Sequence, residues 1–306
     1  MLRRFFLLAA ALLLAGCAAT PPAADALRLD AMPRVAVISA FQPELTLLLS
    51  RVEQPRKFTV NGVDFTTGTL QGKPVVLFLS GISMTNAAMT TQLALDRFAV
   101  SHIVVSGIAG GVNPALHVGD VTVAQRWGQY LEVLAARETA PGRFQPPVWM
   151  KDATLPNFGI FFPRPVEVRS AGRTTTERKF WFETDPKLLA VAERVRGLAL
   201  ESCDAQRNCL SKAPNVVIGG NGVSGPAFVD NAAFRQYARA TFEANVLDME
   251  TAAMAHVAYA NGVPFIAFRS LSDLAGGGEG ENEMGTFLKI AAENSARVLL
   301  AFLAAW

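Results

Sequence analysis

The sequence predicts an α/β fold built on a mostly parallel central sheet. Three observations carry this. Short β-branched runs alternate with stretches of helical period along most of the chain. Those runs are apolar almost throughout rather than every second residue, as in strands covered on both faces. About 290 residues remain once an N-terminal leader is set aside, enough for one large domain.

The leader comes first. In "MLRRFFLLAAALLLAGCAAT", Arg3 and Arg4 precede an apolar run from Phe5 to Ala15, too short for a permanent span and suited to a secretory h-region. The run ends in Leu14-Ala15-Gly16-Cys17, which resembles the bacterial lipobox, whose cysteine is lipidated and becomes the mature N-terminus. An ordinary cleaved signal with Cys17 incidental is the alternative. The expected organisation is a signal peptide at 1–16, a lipidated N-terminus and Ala/Pro-rich tether at 17–33, and one domain at 34–306. The expected place is the bacterial periplasm, with the outer membrane holding the lipid.

Within the domain, "RVAVISA" (34–40) predicts a strand and "ELTLLLSRVE" a helix after it. Further strands are expected at 73–81, at 101–111 running into a Gly-rich turn, at 118–125, 214–225, 244–250 and 263–273. Helices are expected at 85–98 with Thr85 as N-cap, and at about 186–199, 231–242, 249–261 and 283–304. Residues 126–182 break the rhythm with three tryptophans (Trp127, Trp149, Trp181), several prolines and the cluster Phe158, Phe161 and Phe162. A structureless stretch of that length is unusual in a compact domain. Two readings stay open: an insertion packed on the domain with its aromatics inward, or a wall or lid for a ligand pocket.

Charge narrows the partners. The 28 basic residues lose Arg3 and Arg4 with the leader, leaving 26 against 26 acids. Such a neutral chain lacks the basic footprint of a nucleic-acid binder. No second long apolar run follows the leader, so the lipid is the expected membrane contact. Cys203 and Cys209 form an even pair in the polar segment "ESCDAQRNCL", and an exported chain meets an oxidising compartment, so a local disulfide is expected. A zinc site would need two more ligands, and His102, His117 and His256 have no ligand spacing. No metal or cofactor is implied.

Ligands of parallel α/β sheets gather at the carboxyl ends of strands. Four polar features fall there: Glu44, the segment "SGIAGG" with Gly107 and Ile108, the "DME" of Asp248, Met249 and Glu250, and the pair Ser272 and Asp273. Asp273 follows an apolar run punctuated by Arg269, where partial desolvation would raise its pKa and suit it to general acid work. A helix N-cap or an ion pair with Arg269 would explain it equally. Glu44 is either a working carboxylate or a first-turn acid complementing the helix dipole. The glycines could let N–H groups approach an anion or serve tight packing. His256 reads as a core or surface residue.

The segments "RVAVISAFQPEL", "SGIAGGVNPALHVGDVTV", "SGPAFVDN" and "LDMETAAMAHVAYANGVPFIAFRSLSDLAGG" together resemble the purine nucleoside phosphorylase and nucleosidase superfamily. In pattern they are nearest to its methylthioadenosine/S-adenosylhomocysteine nucleosidases. The segment 126–182, Cys203–Cys209 and "GGNGVSGPAFVDN" look more like its plant bark and vegetative storage-protein branch. The resemblance implies a three-layer α/β/α sandwich around a mixed sheet, a homo-oligomer with a dimer favoured, and a purine nucleoside as ligand. It implies that Asp273 protonates purine N7 with Ser272 orienting it, that Glu250 holds the ribose hydroxyls, and that Met249 packs on the sugar. Glu44 would activate water, Phe228 stack on the base, the Val229 backbone read its edge, and Arg269 line the water or anion pocket. Gly107 and Ile108 complete the substrate set. Ile108 replaces a family serine near the ribose, and Pro226 replaces the acid of "SGDAF", which leaves the preferred base open. The regions of the family's phosphate arginines read "HIVVSGIAGG" and "VISAFQPEL", without Arg or Lys, so hydrolysis is favoured over phosphorolysis. A phosphate-dependent phosphorylase, through Arg269, and a non-catalytic nucleoside-binding lipoprotein are the alternatives. Asp248 receives no chemistry beyond a backbone or ion-pair partner.

Overall fold

The computed structural model describes residues 28–150, 155–205, 207–278 and 280–306. The signal peptide, Cys17 and the tether as far as residue 27 lie outside them. The first strand, β1 (Asp30–Ser39), starts inside the segment assigned to the tether. Its early start has a local cause: Asp30 pairs with Phe98 across the sheet, and its carboxylate accepts from Arg34 Nε at 2.7 Å.

The first half of the chain continues through α1 (Gln42–Leu49), β2 (Glu53–Val60), β3 (Val63–Leu70), β4 (Lys73–Leu79), α2 (Met84–Arg97), β5 (Phe98–Gly111) and β6 (Val121–Val123). From 126 to 183 lie β7 (Arg126–Gln129), β8 (Val133–Ala135), β9 (Arg137–Ala140), β10 (Arg143–Gln145), β11 (Phe161–Pro163), β12 (Val166–Val168), β13 (Glu177–Lys179) and β14 (Trp181–Glu183). The rest is α3 (Pro186–Glu193), β15 (Val216–Ile218), β16 (Asn221–Ser224), α4 (Ala232–Phe242), β17 (Ala244–Asp248), α5 (Thr251–Asn261), β18 (Phe265–Asp273) and α6 (Met284–Ala305).

One sheet runs β14-β7-β16-β17-β5-β1-β4-β3-β2, and a second branch leaves β5 through β18 and β6 to β15. Among the described residues it holds six parallel and five antiparallel pairings, so it is mixed. Successive side chains of a strand point to opposite faces, which divides the core in two. On β1, Ala36 and Ile38 enter the layer under α2 and α5, while Val35 and Val37 enter the layer that holds buried residues of α1, α3 and α6. This is the three-layer sandwich.

The antiparallel edge was missed in the sequence, although its turns are marked. Asn61-Gly62 joins β2 to β3 and Gln71-Gly72 joins β3 to β4, with φ of 52°/78° and 50°/75°. Positive φ at both central residues is what a tight hairpin of matching twist requires. The segment "GIAGG" is also strand rather than turn, because β18 pairs along β5 as far as Gly110 while β17 pairs with Gly110 and Gly111. The cap of α2 is Ser83, not Thr85.

The described residues of 126–182 are not structureless. β7 and β14 extend the main sheet, and the other six strands pair into three short ribbons. Trp127 and Phe182 are buried, as an inward-facing insertion requires, but Trp149 is 79% exposed and Phe161 39%. The insertion supports the pocket described below from behind: Tyr130 donates to the carbonyl of Ala227 at 3.2 Å and closes on Gly225, whose missing Cβ would meet the ring at 2.7 Å. Cys203 and Cys209 are joined in a disulfide. Among the described residues no helix is long and apolar enough to cross a membrane.

Candidate active site

A pocket opens where β1, β5, β17 and β18 end. Its walls are apolar, with Phe41, Ile82, Ile108, Phe228, Val229, Leu247, Met249 and Met284. Its polar groups are Glu44, Asp248, Glu250, Ser272 and Asp273. Among the described residues, none that lines it is Lys or Arg.

Each carboxylate is held by a different element. Glu44 lies in the first turn of α1 and is 1% exposed. Its Oε2 accepts from the backbone N–H of Ala40 at 2.6 Å and of Phe41 at 3.4 Å, and its Oε1 accepts from Ile108 N–H at 2.7 Å. Burial pushes its pKa up, against the pull of Arg269 and these N–H donors. Glu250 caps α5, and its Oε1 accepts from Ser83 N–H at 2.8 Å. Burial raises its pKa to about 7; Arg269 opposes the rise, and Asp248 and Glu44 add to it. Asp273 ends β18. Its Oδ2 accepts from Ser272 Oγ at 2.9 Å, and its Oδ1 from Ala275 N–H at 2.8 Å. Its pKa is raised, mainly by burial, which outweighs these hydrogen bonds.

Arg269 is fully buried behind this row rather than lining the pocket. Its Nη1 lies 3.5 Å from Glu44, its Nη2 3.4 Å from Glu250 and its Nε 2.8 Å from Asp248. The sequence placed it on a water or anion pocket; three acids occupy it instead. Gly107 is likewise absent from the lining. It is glycine because Arg269 and Glu44 close over it: a Cβ there would lie 2.0 Å from Arg269 Nη1 and 2.5 Å from Glu44 Oε1. The pocket brings together Glu44, Ile108, Phe228, Val229, Met249, Glu250, Ser272 and Asp273, all expected from the sequence. It adds Phe41, Ile82 and Met284, whose apolar type carried no signal of their own.

The arrangement can do specific chemistry. Asp273, its pKa raised by burial, stands beside an apolar, aromatic-edged space that suits a flat heterocycle, and Glu44 and Glu250 can accept hydrogen bonds from hydroxyls or water. A sheet and a site of this kind define a class, and the chain belongs to it: residues 34–304 match the phosphorylase superfamily. Among its relatives, the methylthioadenosine/S-adenosylhomocysteine nucleosidase of Bacillus licheniformis is 28% identical over 271 residues, covering 88% of this chain and 98% of its own. That of Marinomonas is 29% identical over 273 residues, covering 89% and 99%. Among solved structures, the Neisseria meningitidis nucleosidase in complex with methylthio-immucillin-A is 27% identical with a TM-score of 0.66, covering 90% of this chain and all of its own. The futalosine hydrolase of Helicobacter pylori shares the fold, at 22% identity and a TM-score of 0.63 over 90% of this chain and 98% of its own.

Proposed function

We propose that the chain is an exported purine nucleosidase that cleaves the N-glycosidic bond of nucleosides of the methylthioadenosine, S-adenosylhomocysteine or adenosine type, with water as nucleophile. The observation that carries this reading is the row Glu44, Glu250 and Asp273 at one apolar pocket. Its relatives named methylthioadenosine/S-adenosylhomocysteine nucleosidase support the substrate class.

In this reading the base stacks on Phe228 with its edge toward the Val229 backbone. Asp273 gives its proton to purine N7, held in line by Ser272 and Ala275. The bond to ribose breaks, its electron pair leaves with the now neutral base, and positive charge develops on the sugar. Glu250 accepts from the ribose hydroxyls, Met249 packs on the ring, and Glu44 takes a proton from the water whose oxygen joins the sugar carbon. Phosphate fits the site poorly: carboxylates face the pocket, no cation among the described residues lines it, and Arg269 is committed to three acids.

Export rests on the leader and the lipobox-like Leu14-Ala15-Gly16-Cys17, and the Cys203–Cys209 disulfide supports an oxidising compartment such as the periplasm. A tether from Cys17 would hold the enzyme at the outer membrane. A homodimer is supported by the apolar groove along α2 and α5, where Met89 is 61% exposed.

Protein lacking residues 1–17 is expected to release free base from methylthioadenosine or adenosine without phosphate, followed beside inosine. Release that requires phosphate would mean a phosphorylase, and no release at all would leave a nucleoside-binding protein. For the anchor, Cys17→Ser should move the mature protein from the membrane fraction to the soluble periplasm; unchanged fractionation would remove the lipid from the proposal.

A further inference from the structure

The proposed reaction makes no use of Asp248, yet this side chain is among the most heavily bonded in the molecule. Its Oδ1 accepts from Ser224 Oγ and from the N–H groups of Glu250 and Thr251, both at 3.2 Å. Its Oδ2 accepts from Thr251 Oγ1 and meets Arg269 Nε at 2.8 Å. Ser224 is fixed in turn, its Oγ accepting from Ala252 N–H at 2.8 Å. The short side-chain contacts of Arg269 are thus at Nε, to Asp248 and to Thr251 Oγ1 at 2.8 Å. Its contacts with Glu44 and Glu250, at 3.5 and 3.4 Å, are looser.

We propose that Asp248 is a positioning residue: it anchors Arg269 through Nε so that the guanidinium bridges Glu44 and Glu250 and fixes the spacing of the two carboxylates that meet water and sugar. This deepens the reaction proposed above and rests on it. Asp248 also acts on the charge of Glu250. The groups facing Glu250 are Arg269 on β18, Asp248 at the end of β17, Glu44 on α1 and the Ser83 N–H before α2. Without the charge of Asp248, Glu250 loses one repulsion and gains more of the attraction of Arg269. Both changes make Glu250 ionise at lower pH.

Two variants separate position from charge. Asp248→Asn removes the charge. It should lower kcat about tenfold or more and move the acid limb of the kcat/KM profile down by about one pH unit. Asp248→Glu keeps the charge but displaces it by a methylene, so kcat should fall about tenfold with the limb in place. Full activity in Asp248→Glu, or an unmoved limb in Asp248→Asn, would overturn the proposal, and either variant decides on its own. If the wild-type protein releases no base, the reaction fails but this inference is still read directly. An NMR titration of protein labelled at the glutamate carboxyl carbons, with Glu250 assigned by loss of its signal in Glu250→Gln, should show that signal titrating at lower pH in Asp248→Asn; an unshifted signal refutes it. Failure of both variants to fold would make Asp248 a purely structural anchor and likewise overturn it.

Discussion

Replacing Asp273 with asparagine is expected to cut base release by about 10²- to 10⁴-fold and to raise the thermal stability of the protein at neutral pH. The two effects share one cause. Burial raises the pKa of Asp273, so the folded site holds its proton to higher pH than an exposed aspartate does. In the proposed reaction that proton goes to the leaving base, so the rate should fall as pH rises through the raised pKa. The linkage to stability has the same sign. A carboxyl whose folded pKa lies above its unfolded value stabilises fully below the unfolded pKa and loses that contribution as pH rises through the folded one. Asparagine never ionises, so it removes the loss. It can still accept from the Ala275 N–H and meet the Ser272 hydroxyl, so no buried partner is orphaned. Melting curves should show the variant above wild type at neutral pH, by roughly 2–4 °C for each kcal/mol in a chain of this size. The gap should close toward about pH 4, near the unfolded pKa. Nucleoside binding, measured by calorimetry, should persist. Unchanged turnover would refute the general-acid role, and a stability gap independent of pH would refute its cause.

The parallel half of the fold was legible because strands buried on both faces leave continuous apolar runs, as at Val35–Ile38, Val75–Phe78 and Phe265–Phe268. β2 and β3 escaped because β2 is largely exposed and polar, so only its turn residues, Asn61-Gly62 and Gln71-Gly72, carried the signal. The glycines of 107–111 suggested a turn because their local preference was weighed without the neighbours. Pairing from β17 and β18 holds them extended, and the approach of Arg269 and Glu44 accounts for Gly107. Asp273, Ser272, Glu44 and Glu250 were legible as acids and a hydroxyl at strand ends, where a parallel sheet collects its ligands. Arg269 and Asp248 were harder to read. An arginine within "FIAFRSLSD" must find partners wherever its strand face points, and only the fold shows that these are three acids from α1, β17 and the cap of α5. The weak sequence signal was the set itself: several acids in apolar surroundings, and one cation there to meet them.

That set makes Arg269 the residue whose loss should destabilise the protein most. Arg269→Met is expected to cost about 3–5 kcal/mol, since it removes the cation shared by Glu44, Asp248 and Glu250, each at most 5% exposed. Arg269 is what opposes the burial that raises the pKa of Glu44 and of Glu250, so without it both favour protonation more strongly. Glu44 would then take a proton from water less readily, so whatever fraction folds should release base slowly. Because Glu44 and Glu250 of the variant favour the protonated state still more strongly, its deficit should be largest at neutral pH and above and should shrink as pH falls. Arg269→Lys retains the charge but cannot reach Glu44, Glu250 and Asp248 at once, because a lysine has one compact ammonium in place of a planar fork of donors. It should therefore fold better than Arg269→Met while remaining slow. Melting temperatures of both variants at pH 5 and pH 8 decide the matter: a deficit in Arg269→Met that is the same at both would show that Arg269 holds the site by its packing volume and not by its charge.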